Sequence, residues 1–117
     1  MNTSQKRLDR IAWTAGAVAA VAMLSAGGVV HAAQQVFIRQ QHLRFSQSSV
    51  DIAAGDTLTF TNEDDVIHNI GVRDGGDTQD LGLQKPKASV SHRFGQPGDF
   101  TIVCSIHPRM RLKVKVR

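Results

Sequence analysis

Apolar and polar residues alternate along most of the chain after residue 33, in short segments separated by turn residues. The last segment shows this best, because Leu112, Val114 and Val116 alternate with basic residues. Alternation with a period of two places one set of side chains on the core face of a strand and the other set in solvent. Comparable segments occur at residues 36–38, 43–45, 49–52, 57–62, 69–72, 88–94 and 100–104. We therefore predict an all-β sandwich of about seven or eight strands.

The first 32 residues have a different pattern, that of an export signal. Three basic residues stand close to the start, and residues 11–30 are uncharged and rich in Ala, Gly and Val. Small residues around position 32 form a cleavage signal, so we expect a signal peptide over residues 1–32, with the cut after Ala32. The alternative is an uncleaved segment that anchors the protein in the membrane. Either outcome places the folded part outside the bacterial cytoplasm, in the periplasm, and cleavage would leave it without stable membrane association.

Cleavage would leave one domain over residues 33–117, which is near the lower end of the size range for independent folding. This part has eleven Lys and Arg against nine Asp and Glu, so its net charge is about +2, against +4 for the whole chain. Such a small positive excess does not indicate nucleic-acid binding. The aromatic residues are also too few to form a stacking surface for bases. We expect a monomer that binds no nucleic acid.

Four residues in the second half of the chain have the chemistry of a metal site. Cys104 is the only cysteine, and His107 and Met110 follow it at steps of three. An extended chain spans roughly 3.3 Å per residue, so these three side chains meet at one point only on a turning loop. His68, which follows the predicted strand over residues 57–62, adds a donor from a distant segment. One thiolate, two imidazoles and one thioether form the ligand set of a mononuclear blue-copper site.

The choice of metal follows from the donor atoms. A soft thiolate favours copper or zinc over magnesium and calcium. The thioether of Met110 favours copper further, because zinc sites are built from Cys, His and carboxylate ligands. We therefore predict one copper ion per chain.

The segments around these residues resemble a known family. Residues 54–64 and 68–70 are similar to the first half of small bacterial cupredoxins, the type 1 blue-copper proteins, and residues 97–110 to the second half. The short Cys-x-x-His-x-x-Met loop is most similar to the amicyanin and plastocyanin-like branch. The resemblance covers residues 36–117. It implies a Greek-key β-sandwich and one-electron transfer between redox partners, without enzymatic activity, and it assigns the copper ligands to His68, Cys104, His107 and Met110.

The same resemblance implies roles for four further residues. Asn69 and Ser105 each follow a ligand directly, and in cupredoxins the matching pair ties the two ligand loops together. His107 would carry the electron to the surface, where redox partners dock transiently. Pro108 and Arg109 would lie at this docking surface. Arg109 stands where amicyanins usually have a bulky apolar residue. Two interpretations stay open: Arg109 steers the protein toward a partner with an acidic docking surface, or it is an ordinary solvated arginine.

Other functions use the same residues. Copper storage or delivery is the main alternative, although a delivery protein should have exposed ligands rich in Met or His, and only Met110 is near this site. A thiol enzyme would need a base beside Cys104 that is oriented by a third group, and no substrate or oxyanion motif is visible.

His42 lies on the polar face of its segment, so we expect it in solvent. His92 shares a face with apolar residues, and no ligand motif includes it.

Overall fold

The computed structural model describes residues 31–117, and this part of the chain consists of strands and connecting turns. An all-β fold is therefore confirmed, with nine strands in the described part, slightly more than predicted. In chain order the strands are β1 (Gln35–Gln41), β2 (Arg44–Phe45), β3 (Ser49–Ile52), β4 (Thr57–Asn62), β5 (His68–Asp74), β6 (Asp77–Gln84), β7 (Ser89–Arg93), β8 (Gly98–Val103) and β9 (Arg111–Val116).

The strands form two sheets that face each other across one apolar core. One sheet has the order β2-β1-β4-β7, and the other has the order β3-β9-β8-β5-β6. Most neighbouring strands are antiparallel, whereas β1 with β4 and β3 with β9 are parallel pairs. Neighbours in space are therefore often distant in sequence, as in a Greek-key sandwich.

The core is built by the alternating residues of both sheets. In β9 the pattern is complete, because Leu112, Val114 and Val116 are buried and the basic residues between them are exposed. Phe60 and Leu58 of β4 face this layer from the other sheet and are fully buried. Removal of each such side chain from water stabilises the fold by roughly 1.5–3 kcal/mol.

Strand β6 was not predicted, because the Asp- and Gly-rich residues 73–78 indicate a loop; that interpretation is wrong for most of its length. β5 extends to Asp74 and β6 begins at Asp77, so only Gly75 and Gly76 connect them. Gly75 has a φ of 58°, which glycine adopts without strain. β6 lies at the edge of its sheet, and its first four residues are exposed. Because residues 77–80 are exposed on both faces of the strand, they show no apolar alternation, and this explains the wrong prediction.

The predicted strand over residues 43–45 is also wrong at its start. Leu43 lies in the turn between β1 and β2, and only Arg44 and Phe45 are extended. A two-residue connection between antiparallel strands is the tightest hairpin, and residues in its turn leave the strand.

The expected signal peptide over residues 1–32 lies almost entirely outside the described residues. Within residues 31–117, no helix is long and apolar enough to cross a membrane.

Candidate metal centre

Two neighbouring strands bring His68 and Cys104 together. β5 and β8 are antiparallel, with Gly71 opposite Val103, so the start of β5 lies beside the end of β8. His68 is the first residue of β5, and Cys104 follows the last residue of β8. His107 and Met110 lie in the loop between β8 and β9, where the backbone amide of Met110 donates to the carbonyl of His107 at 2.9 Å. This hydrogen bond closes the turn that the loop needs if the side chains of Cys104, His107 and Met110 are to meet.

Three donor atoms converge at this end of the sandwich. The Nδ1 atoms of His68 and His107 are 3.1 Å apart. The Sγ atom of Cys104 is 4.0 Å from Nδ1 of His68 and 3.8 Å from Nδ1 of His107. These are the three residues that the structure brings together as a possible metal-binding group within residues 31–117.

The spacing of the three atoms fits a metal ion. A circle through three points with these separations has a radius of about 2.1 Å, close to the roughly 2.0 Å and 2.3 Å of metal bonds to imidazole nitrogen and thiolate sulfur. His68 and Cys104 are buried, so a bound ion would be shielded from water on their side. A thiolate with two imidazoles suits copper, and the residues present therefore fit this ion.

Met110 occupies the core beside this group. Its side chain is buried, and it packs in the apolar cluster that includes Cys104 and Leu112. A thioether in this position is an uncharged, soft donor surrounded by apolar side chains.

Asn69 and Ser105 form a bridge next to the three donors. The side-chain oxygen of Asn69 accepts hydrogen bonds from the amide and the hydroxyl of Ser105, at 2.6 Å and 3.0 Å. The backbone amide of Asn69 points at Sγ of Cys104 at a distance of 3.5 Å. A donor at this distance stabilises negative charge on the sulfur, as a metal-binding thiolate requires.

Asp64 is a site residue that the sequence analysis missed. Nε2 of His68 lies 2.7 Å from its Oδ2, so the proton of this imidazole belongs on Nε2 and leaves Nδ1 free to bind a metal. Burial alone would raise the pKa of Asp64. Hydrogen bonds from His68 and from the amides of Leu43 and His42 outweigh burial and lower the pKa below its usual value. A carboxylate four residues before a candidate ligand was the signal available in the sequence.

His107 is the exposed member of the group. It is half-buried, and Pro108 and Arg109 beside it are exposed. The end of the sandwich at His107 is therefore the place where the site meets solvent.

The two remaining histidines considered in the sequence lie outside this group. His42 is exposed in the turn after β1. His92 packs edge to face on Phe94, with ring centroids 4.7 Å apart, and burial lowers its pKa.

The fold and the site together define a cupredoxin, a β-sandwich with a copper site at one end. The sequence model for copper-binding proteins of the plastocyanin/azurin family matches residues 32–117. The chain belongs to this family, and copper is its cofactor.

Several relatives are similar over most of their length. Amicyanin-alpha of Methylorubrum extorquens is 30% identical over 108 residues, which cover 90% of this chain and 85% of the relative. The methylamine utilization protein MauL of the same organism is 24% identical over 86 residues, 73% of this chain and 75% of the relative. The crystal structure of amicyanin from Paracoccus versutus superposes with a TM-score of 0.66 at 24% identity, covering 71% of this chain and 81% of that chain. This last likeness concerns the fold.

Proposed function

We propose that this protein is a periplasmic carrier of single electrons, with one copper ion held by His68, Cys104, His107 and Met110. The observation that carries the proposal is the convergence of two Nδ1 atoms and one Sγ atom within 4.8 Å of one another. Membership of a copper-binding family supports the assignment of these atoms to copper.

Each residue has a distinct role in this proposal. Copper, when bound, supplies a couple that takes up and releases one electron at a time. Cys104 would provide the thiolate, His68 and His107 would provide the two imidazoles, and Met110 would provide a thioether donor whose strength influences the potential. Asp64 keeps the proton of His68 on Nε2, so that the binding nitrogen stays available.

The fixed scaffold favours electron transfer over other uses of copper. His68 begins β5, Cys104 directly follows the adjacent, hydrogen-bonded strand β8, and the bridge from Asn69 to Ser105 joins β5 to the loop after β8. Donors that are held in place move little when the charge of the site changes, and this lowers the barrier to electron exchange. Burial of His68, Cys104 and Met110 also counts against copper delivery, because delivery requires ligands that a recipient protein can reach.

The electron would leave through His107, and the exposed Pro108 and Arg109 would contact the partner. Arg109 adds positive charge and favours a partner with an acidic docking surface. Electron-transfer encounters bury little area and are short-lived, so we propose transient complexes of a monomer. Similarity to a methylamine utilization protein supports partners among the redox proteins of methylamine utilization.

We further propose that residues 1–32 direct the chain to the periplasm and are then removed, leaving residues 33–117 as the cupredoxin domain. The match of the family to residues 32–117 supports this boundary.

Visible spectroscopy of the copper-loaded protein tests the proposed function. We expect an intense absorption band that ascorbate bleaches and reoxidation restores, and that the C104S variant lacks. The H92N variant, which changes a histidine outside the group, should keep the band. A protein that binds only cuprous ion and stays colourless would favour storage or delivery of copper instead.

A further inference from the structure

A cluster of buried amide side chains lies between the two sheets, next to the strand that begins with His68. The members of this amide cluster are Gln40 on β1, Asn62 on β4 and Gln84 on β6. Each of them is at most 2% exposed. None of them is a ligand in the proposed copper site. Burial of an amide group costs free energy unless hydrogen bonds replace those to water, so the contacts of the three side chains show what they do.

Gln84 is the residue opposite His68 in the sheet. The two residues are paired in the antiparallel strands β6 and β5, and both are buried. Side chains of such a pair point to the same face, with Cβ atoms roughly 4.5–5.5 Å apart. Among the described strands, β8 pairs with β5 from Gly71 to Arg73, so the strand pairing at His68 itself is with β6. The position of His68 therefore depends on what holds Gln84.

The side chain of Gln84 crosses the core to the other sheet. Its Nε2 donates to the backbone carbonyl of Phe60 on β4 at 2.9 Å. Its Oε1 accepts a hydrogen bond from Nε2 of Gln40 on β1. Because β6 belongs to one sheet and β1 and β4 belong to the other, one amide group joins the strand opposite His68 to two strands across the core.

Asn62 connects the amide cluster to the loop that leads into His68. Its Nδ2 donates to the backbone carbonyls of Gln84 at 3.1 Å and Val66 at 2.8 Å. Its Oδ1 accepts a hydrogen bond from the backbone amide of Asp64 at 2.9 Å, and the Asp64 carboxylate is the partner of His68. The cluster therefore reaches His68 in two ways, through the pairing of β5 with β6 and through Asp64.

One atom of the cluster indicates a use other than stability. Oε1 of Gln40 is buried and has no hydrogen-bond partner in the part of the chain that the structure describes. The amide of Gln40 cannot turn around, because Gln84 presents an acceptor to it and commits its own donor to Phe60. A buried acceptor without a partner costs free energy of folding, and a pair of apolar side chains would avoid this cost.

We propose that Gln84 is a positioning residue for the metal centre, which holds the imidazole of His68 in its copper-binding place before copper binds. Gln40 and Asn62 hold Gln84 in turn. Because two of the anchors lie on the opposite sheet, His68 is fixed relative to the whole sandwich and not only relative to Cys104. This inference rests on the proposed function, but the anchoring of His68 can also be measured without copper.

Methionine in place of the glutamines tests the role of the cluster. Q84M removes the crossing amide but leaves Gln40 without its acceptor, so the Q40M/Q84M variant, which removes both amides, should fold more readily. Affinity for cuprous ion, measured by competition with a coloured chelator, should fall about tenfold or more in both variants. The control is V116A, which shortens a buried side chain where β9 pairs with the start of β8, at the end remote from Cys104. V116A should unfold at lower urea concentration and keep its affinity.

Proton NMR of the metal-free protein gives a second readout. The Nε2 proton of His68 lies in the hydrogen bond to Asp64, and its exchange with water reports how firmly the imidazole is held. We expect faster exchange in Q40M/Q84M than in V116A at equal urea stability, because V116A leaves the anchors of Gln84 in place.

The outcomes separate positioning from general stability. Wild-type affinity and exchange in Q40M/Q84M would overturn the proposal. Changes that V116A shows to the same extent would overturn it too, because they would reflect the loss of folding stability alone. A wild-type chain that binds no copper, together with faster exchange in Q40M/Q84M, would refute the proposed function and still support the anchoring of His68 by Gln84.

Discussion

The side-chain oxygen of Asn69 accepts two hydrogen bonds from Ser105, one from its amide at 2.6 Å and one from its hydroxyl at 3.0 Å. Asn69 follows His68 in the chain, and Ser105 follows Cys104. One oxygen atom therefore joins the start of β5 to the loop after β8, and the donors of these two segments, Nδ1 of His68 and Sγ of Cys104, are 4.0 Å apart. The bridge fixes this separation independently of a bound ion.

Replacement of Asn69 should show the strength of this bridge. The N69A variant leaves the part-buried amide of Ser105 without its acceptor, and we expect a loss of about 1–3 kcal/mol in the free energy of unfolding. S105A removes only the hydroxyl bond, so its loss should be smaller, about 0.5–1.5 kcal/mol. Urea unfolding of the metal-free variants measures both values. Equal losses would mean that the hydroxyl, and not the amide, carries the bridge.

The contribution of core packing to stability can be tested by replacing Phe with Ala at one buried and one exposed position. Phe60 is fully buried and packs edge to face on Phe45, with ring centroids 6.2 Å apart, whereas Phe37 is 65% exposed. F60A should lower the free energy of unfolding by about 3–5 kcal/mol, because it leaves a cavity between the sheets. F37A should change it by less than about 0.5 kcal/mol. A large loss in F37A, measured by the same urea titration, would show that the outer face of β1 is covered in solution.

The sequence predicted well those features that depend on neighbours along the chain. The faces of β9 follow from alternation alone, because one face meets the core and the other meets solvent. The spacing from Cys104 to His107 and Met110 likewise follows from the reach of one loop. The first half of β6 has no such pattern, because its residues are exposed on both faces of the strand.

The contacts of Asp64 depend on residues that are distant in sequence. Its carboxylate meets the amide of His42, 22 residues earlier, only because β4 and β1 are neighbours in one sheet. The turn at His42 and Leu43 also carries no sequence signal, since hairpins of this kind usually contain Asn-Gly or Asp-Gly. His42 and Leu43 lack the intrinsic preference of Asn and Gly for a left-handed backbone. The hydrogen bonds that Asp64 accepts from their two amides stabilise the turn instead.

The strain at Leu43 gives a prediction of its own. L43G removes the Cβ atom that disfavours a φ of 56°, while L43A removes most of the side chain and keeps the strain. We therefore expect L43G to be more stable than L43A by about 1 kcal/mol in thermal or urea unfolding. If L43A were the more stable variant, the turn would not have a left-handed backbone in solution. Both variants should bind copper like the wild type, because Leu43 contributes only its backbone amide to Asp64.

Asp56 makes the stability of the fold depend on pH. The backbone amides of Gln34 and Ala53 donate to its buried carboxylate and, with His31, lower its pKa. A carboxyl group with a lowered pKa stabilises the folded state above its unfolded pKa of roughly 3.9, and this contribution is lost as the pH falls through the folded value. D56N should therefore lose stability near neutral pH, and its difference from the wild type should shrink in acid.

Urea titrations from pH 7 down to pH 3 measure this difference. The control is D99N, which removes an exposed carboxylate and should show little change across the range. Cleavage after Ala32 would remove His31, but the amides of Gln34 and Ala53 would stay. The effect should thus appear in both the full chain and the processed form. A difference that grows in acid would mean that Asp56 is protonated in the folded protein, and that these amides do not hold its charge.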